Sequence, residues 1–335
     1  MKNITCIFNK TVLFSLTITV FSLMILATIP KSSSPMVEVP RQPDTVAAST
    51  QIGPSQGPVK IFLPALVISH LNPKKGLGVT TPPACSDLTN LKASWYFNWT
   101  VWPDSCKTPD ARFVPRIYNG GHMVEPYFSQ AIENAKVSGW LMGFNEPNLI
   151  WQGGVSPEDG ARYWKQIEDT ALPLGIKLVS PAPNQWEPYH DPTRPEPHGN
   201  QWTWAMVKAY QEQNNGQKPH FDALGWNIYN NNHADTKTFL AARRNEARYE
   251  YYYNVPFWII EYGGNCPDKT YTGNEVIMEE TTAWFNETDW IERYAWYANR
   301  LEGSEDPDAQ DYSSCSLIDP DSGQTTDLGK RYSKF

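Results

Sequence analysis

The sequence predicts an α/β protein built as a single (β/α)8 TIM barrel, preceded by an apolar signal or anchor segment and a disordered linker. Three observations predict it. Eight short apolar runs recur at spacings of roughly 20 to 45 residues, the rhythm of strands joined by crossover helices. Helical patterns fill the gaps between them. No glycine-rich phosphate loop follows the first run, as a doubly wound nucleotide-binding sheet would require.

The elements can be justified in chain order. Residues 12–29 carry no charge and follow Lys2 and Lys10. Residues 1–29 therefore form a signal peptide or a membrane anchor. If it is uncleaved, the two lysines stay inside and the rest of the chain lies outside. The protein is then extracellular, secreted or tethered to the outer face of the membrane by residues 12–29. Residues 30–71 are rich in Pro, Ser and Gln, a linker composition too polar to pack a core. Residues 72–335 hold the barrel domain. Its expected strands are 76–80, 93–98, 113–118, 140–145, 177–183, 223–229, 257–262 and 291–297. The best-marked helix begins after Ser156, which can cap it. Pro157 suits the first turn, Glu158 and Asp159 favour the helix N-terminus, and Gly175 stops the run. Further helices are expected from Trp202 toward Gln213 and from Thr236 toward Tyr252.

Composition narrows the function classes. The 335 residues are 40% hydrophobic and 19% charged, enough apolar side chain for a large core. The net charge of −8, with no basic stripe, argues against a nucleic-acid partner. All 14 tryptophans lie at Trp95 or later, which suits a core, a sugar-stacking cleft, or both. Trp140, Trp164, Trp258 and Trp284 fall where burial is expected. Beyond Cys6, the body holds Cys85, Cys106, Cys266 and Cys315, an even set that an exported chain can oxidise into two disulfides. Closeness in the chain favours Cys85 with Cys106 and Cys266 with Cys315. No Cys or His spacing fits a metal, and no serine-hydrolase elbow or phosphate loop is present. No cofactor or metal is implied, and a monomer is expected.

In barrels of this kind the reacting groups sit at the C-terminal ends of the strands. Two carboxylates hold that position. Glu146 ends the fourth run and Glu261 ends the seventh. A carboxylate following a buried strand costs desolvation unless it faces a cleft or a partner. A structural pairing with arginines would account for either alone. Two at matched places on one barrel favour chemistry. A retaining glycosidase needs such a pair, one as nucleophile and one as acid then base. Asn145 is then placed to bond a sugar hydroxyl, and Tyr229 to donate to the nucleophile. Trp99, Trp151, Trp186 and Trp296 are candidates for stacking on sugar faces. Asn98 and Asn184 are candidates for bonding hydroxyls.

The string Gly143-Phe144-Asn145-Glu146-Pro147-Asn148, followed by Gln152, Pro157, Ala161 and Trp164, resembles the acid/base segment of glycoside hydrolase family 128. Ser94-Trp95-Tyr96-Phe97-Asn98-Trp99, Val114-Pro115 and Ser180-Pro181-Ala182 resemble its second, third and fifth strands. Trp258-Ile259-Ile260-Glu261-Tyr262-Gly263 resembles its nucleophile strand, and Glu292 to Tyr297 its eighth strand. The tail from Gly323 to Tyr332 resembles its closing segment. The resemblance spans roughly Lys74 to the C-terminus and implies a barrel β-1,3-glucanase, endo-acting, with Glu146 as acid/base and Glu261 as nucleophile. Two positions depart from the pattern. Asn148 stands where Asp is frequent, and Asn227, beside the chemistry, stands where a histidine is common. Two other readings stay open: the same chemistry on another β-linked glycan, and a non-catalytic β-glucan-binding surface protein.

Overall fold

The computed structural model describes residues 71–80, 85–104, 111–185, 201–266, 272–303 and 311–335, all within one compact unit, Leu66–Phe335. The apolar run 12–29, nearly all of the linker, Cys6, Cys106 and Trp186 lie outside the described residues.

A strand overlaps each of the eight expected runs, β1 Lys75–Gly78, β2 Trp95–Phe97, β3 Arg112–Phe113, β4 Trp140–Met142, β5 Lys177–Val179, β6 Leu224–Tyr229, β7 Phe257–Gly263 and β8 Ile291–Trp296, although the third, expected over 113–118, shares only Phe113. They pair in parallel in the order β3-β2-β1-β8-β7-β6, with β4 and β5 as a second ladder. Single bridges join the two. Arg116 pairs with Met142 beyond β3, and Val179 pairs with Ala223 before β6. The eight strands thus run in a closed ring. The helices are α1 Cys85–Asn90, α2 Tyr127–Ser138, α3 Pro157–Ala171, α4 Gln201–Gln213, α5 His233–Tyr249, α6 Asn274–Glu287 and α7 Asp327–Tyr332. The expected cap is present, since Ser156 accepts a hydrogen bond from the Asp159 N–H.

Side-chain alternation divides the core in two. Trp95, Phe97, Val114, Trp140, Met142, Val179, Trp258 and Ile260 fill the barrel interior. Their odd-even neighbours, such as Leu141, Leu178 and Ile259, face the helices. Three indoles meet inside: Trp258 lies 5.3 Å from Trp95 and 4.5 Å from Trp140, centroid to centroid. The Arg293 guanidinium sits 4.4 Å from the Trp258 ring. Trp258 also donates its N–H to Glu292 at 2.7 Å, and Trp95 donates its own to the Lys74 carbonyl at 3.1 Å. Gly76 makes room for this packing, because a Cβ at that position would lie 2.2 Å from the Trp95 ring. Trp164 is also fully buried, between barrel and helices, and Trp284 is half-buried on the outer layer.

One irregularity positions the chemistry. Trp226 pairs with Ile259, but Asn227 pairs with Glu261, so β7 carries one extra residue. This bulge lets Ile260 fill the interior while Glu261, next in sequence, also turns to the inner side.

Because Trp258 is fully buried and touches two other indoles, Trp258→Ala is expected to cost about 3–5 kcal/mol of folding stability, read as a shifted urea midpoint with an unchanged slope.

Candidate active site

Glu146 and Glu261 line one cleft of about 680 Å³ at the C-terminal ends of the strands. Each is nearly buried, at 6% and 4% exposure. Their surroundings differ in kind. Glu261 is gripped by three donors. The Trp99 indole N–H donates to Oε1 at 2.7 Å, the Arg116 guanidinium to Oε1 at 3.2 Å, and the Tyr229 hydroxyl to Oε2 at 2.7 Å. Among the described residues Glu146 receives amide donors, Asn184 at 3.0 Å and Asn227 at 3.2 Å, both on Oε1. Its pKa is raised to about 7, first by burial and then by the charge of Glu261. Burial pushes the Tyr229 hydroxyl well above its ordinary value, so it stays a donor.

The backbone that presents these groups is constrained. Glu146 has φ +38° and Trp99 has φ +56°, in the left-handed region that side chains with a Cβ avoid. The Glu146 N–H donates to the Ala182 carbonyl at 2.9 Å, and its own carbonyl accepts from Leu149 at 3.0 Å. Gly153 packs flat against this turn; a Cβ there would lie 2.2 Å from the Asn145 carbonyl oxygen. Arg116 fastens the same segment from behind, donating to the carbonyls of Gly143 and Phe144 at 3.3 Å each. Chemically, a buried neutral acid facing a rigidly held carboxylate can deliver a proton on one side and attack a carbon centre on the other.

Residues 76–332 match the family described as glycosyl hydrolase catalytic core. The chain belongs to this family. Solved structures of glycoside hydrolase family 128 share its fold. An endo-β-1,3-glucanase of subgroup II from Sorangium cellulosum is 23% identical, with a TM-score of 0.60 over 78% of this chain and 97% of that one. A subgroup I endo-β-1,3-glucanase from Amycolatopsis mediterranei, in complex with laminaritriose, is 20% identical, with a TM-score of 0.59 over 78% and 99%. A subgroup III curdlan-specific exo-β-1,3-glucanase from Blastomyces gilchristii, in complex with glucose, is 20% identical, with a TM-score of 0.59 over 79% and 100%. No curated protein matches the chain.

In this glycosyl hydrolase core the remaining candidates separate. Asn145 lines the cleft, and its Oδ1 is buried without a hydrogen-bond partner among the described residues. Trp151 stands on the cleft at 70% exposure, free to meet a ligand. Asn184 lines the cleft but spends its amide N–H on Glu146. Asn227 is buried against the same carboxylate, so it touches an acid rather than open cleft. Two expectations are corrected. Trp296 is fully buried, faces the helices and donates to the Cys315 carbonyl at 2.8 Å; the next residue, Tyr297, lines the cleft instead. One step along a strand exchanges the two faces. Asn98 ties down its own loop, donating to the Trp102 carbonyl and to Asp104. Arg116 was not among the expected site residues; it fell inside the expected strand 113–118, whereas β3 ends at Phe113 and leaves Arg116 beyond the strand end. Tyr118 and Gln152, hydrogen-bonded to each other on the cleft wall, were not expected as site residues either. Cys266 and Cys315 form a disulfide, as chain order favoured, and Cys266 lines the cleft. Cys85 is disulfide-bonded as well.

The raised pKa of Glu146 has a consequence for stability. The folded chain holds its proton up to about pH 7, whereas the unfolded chain releases it near the ordinary 4.5. The fold therefore binds more protons between those values, and stability declines as pH rises across that window. Glu146→Gln removes this penalty. Its stability relative to wild type should grow by up to about 3 kcal/mol between pH 4 and pH 8, measured by denaturant unfolding at each pH.

Proposed function

We propose that this chain is a retaining, endo-acting hydrolase of β-1,3-glucan, with Glu261 as nucleophile and Glu146 as acid and then base. The observation that carries this reading is the contrast between the two carboxylates: one buried and met by two amides, the other fixed by an indole, a guanidinium and a phenol. In the first step a Glu261 oxygen attacks the anomeric carbon as the glycosidic C–O bond breaks. Glu146 gives its proton to the departing oxygen and becomes a carboxylate. In the second step Glu146 takes a proton from water, the water oxygen attacks the same carbon, and the glycosyl–Glu261 ester bond breaks. Esterification removes the Glu261 charge, one of the two causes that raise the Glu146 pKa. Glu146 is thereby a stronger acid in the second half of the cycle, which suits its turn from acid to base.

The Tyr229 hydroxyl and Trp99 N–H orient the attacking carboxylate. Arg116 balances its charge without blocking the face toward the cleft. Asn145, with its unpartnered Oδ1, is the group best suited to accept a sugar hydroxyl, and Trp151 to stack on a pyranose ring. The choice of β-1,3-glucan is supported by the family 128 enzymes, which are β-1,3-glucanases of endo and exo action. An extracellular location, secreted or tethered through residues 12–29, is supported by the Cys266–Cys315 disulfide, since such bonds persist in oxidising surroundings. Among the described residues no helix is long and apolar enough to cross a membrane.

Reducing-sugar release from linear β-1,3-glucan, run beside cellulose and mixed-linkage glucan, tests the substrate. Release only from another polymer would discard it, and binding without release would discard catalysis. For the mechanism, kcat/KM should fall as pH rises through about 7, because the acid is lost. Glu146→Gln should slow polymer cleavage by about 10²–10⁴-fold yet spare the first step on aryl glycosides whose leaving group needs no proton, so their kcat/KM holds while the glycosyl-enzyme accumulates for want of a base. A 2-deoxy-2-fluoro glycoside should label the peptide containing Glu261, and an unlabelled peptide would overturn the covalent route.

A further inference from the structure

Three asparagines from three neighbouring strands converge on the Glu146 carboxyl group. Asn184, beyond the end of β5, donates its side-chain N–H to Glu146 Oε1 at 3.0 Å. Asn227, inside β6, donates to the same oxygen at 3.2 Å. Asn148, two residues after Glu146, holds Asn184 in turn. Its Oδ1 accepts the Asn184 backbone N–H at 2.8 Å, and its Nδ2 donates to the Asn184 carbonyl at 3.2 Å. That pair of bonds needs an amide, because a carboxylate at 148 could accept but not donate. Asn148 and Asn227 are both buried. They are also the two positions at which this chain departs from the family 128 pattern.

Two consequences follow from the shared oxygen. An oxygen that accepts two N–H bonds has both lone pairs in use, so the proton of neutral Glu146 falls to Oε2. Both donors also favour the carboxylate, and so oppose the burial that keeps Glu146 neutral. Asn227 leaves its own Oδ1 buried without a partner among the described residues, so its amide is oriented at the cost of an orphaned acceptor. The charged and titratable groups that act on Glu146 come from the rest of the ring. They are Glu261 on β7, Arg116 and Tyr118 beyond β3, Tyr229 on β6, Tyr297 beyond β8, and Tyr312. Burial raises all four tyrosines, which keep their protons where Glu146 titrates. The three amides do not titrate at all.

We propose that Asn148, Asn184 and Asn227 are positioning residues that fix which oxygen of Glu146 carries the proton and ease its departure. Asn184 and Asn227 bear on the carboxyl group directly, and Asn148 acts through Asn184. The use made of that proton rests on the proposed function of the cleft. As the Oε2–H bond breaks and the departing sugar oxygen gains the proton, negative charge is left on Glu146. Two N–H donors already in place receive that charge without rearrangement. In the second step Oε2 takes a proton from water, and the same two donors hold Oε1 throughout.

Carboxyl ¹³C NMR titration of the protein tests this without a substrate, with the Glu146 signal assigned by its loss in Glu146→Gln. Asn184→Ala and Asn227→Ala each remove a donor to the charged form, so the Glu146 midpoint should rise by about 0.5–1 on the pH scale. Asn148→Ala should move it the same way, and should add little when combined with Asn184→Ala. Asn184 is only half-buried on the cleft wall, so its variant can be read even where a buried one misfolds. On a soluble β-1,3-oligosaccharide, each variant should lose about five- to ten-fold in kcat/KM. The fall of kcat/KM at high pH should be displaced upward with the midpoint. On an aryl glycoside whose leaving group needs no proton, the loss should stay within about two-fold. Unmoved midpoints in Asn184→Ala and Asn227→Ala overturn the proposal, as do equal losses on the two substrates. Additive effects of Asn148→Ala and Asn184→Ala overturn the part given to Asn148. If wild-type protein cleaves no β-1,3-oligosaccharide, the reading of the cleft fails, and the titration midpoints still decide whether the amides govern Glu146.

Discussion

The site depends on one buried cation. Arg116 is fully buried, and its three donor nitrogens reach three places at once. One meets the Glu261 carboxylate. The other two hold the backbone carbonyls of Gly143 and Phe144, just ahead of Glu146. Two nearly buried carboxyl groups lining one cleft cannot both carry charge cheaply. The guanidinium decides which one does. It neutralises Glu261 directly and touches only the backbone leading to Glu146, which is left to burial and to amide donors. A lysine could supply the charge but not the planar fork that joins carboxylate and backbone together.

Much of this was legible in the sequence, for identifiable reasons. Each strand appeared as an apolar run because both faces of the barrel wall are buried, and α3 appeared through Ser156, Pro157 and its acidic first turn. Glu146 and Glu261 stood out because a carboxylate at the end of a buried run needs a reason to be there. Tyr229 followed from its place at the end of β6. The failures have causes as definite. The parity of Trp296 and Tyr297 could not be counted out, because the register between β7 and β8 shifts between Ile259 and Tyr262. A strand of two residues gave no pattern from which to place Arg116. Asn98 has the chemistry of a sugar ligand and of a turn former alike, and only the positions of Trp102 and Asp104 separate them.

The two ends of the barrel divide their duties. At the C-terminal end polar and aromatic side chains line the cleft, backbone is strained at Trp99 and Glu146, and a buried amide oxygen of Asn145 lacks a partner among the described residues. At the other end, Arg293 seals three indoles tilted against one another, and the N–H groups of Trp95 and Trp258 are satisfied. The strained backbone at Glu146 and Trp99 and the unmet oxygen of Asn145 lie where a substrate can meet them, while the indole cluster contributes stability that offsets their cost.

The closing seam of the ring lies between β1 and β8, where Lys75 pairs with Tyr294 and Leu77 with Trp296. The first strand must therefore wait for the last. During synthesis β1 emerges early, pairs with β2 on one edge, and leaves the other edge open until residues 291–296 follow. The seam also draws in the tail, since Tyr332 donates its hydroxyl to the Gly76 carbonyl at 2.6 Å and accepts the Lys75 ammonium on its own carbonyl. Completion of the ring thus waits for β8 and the segment around Tyr332, and chains cut short before β8 would present an unpaired edge to chaperones and proteases.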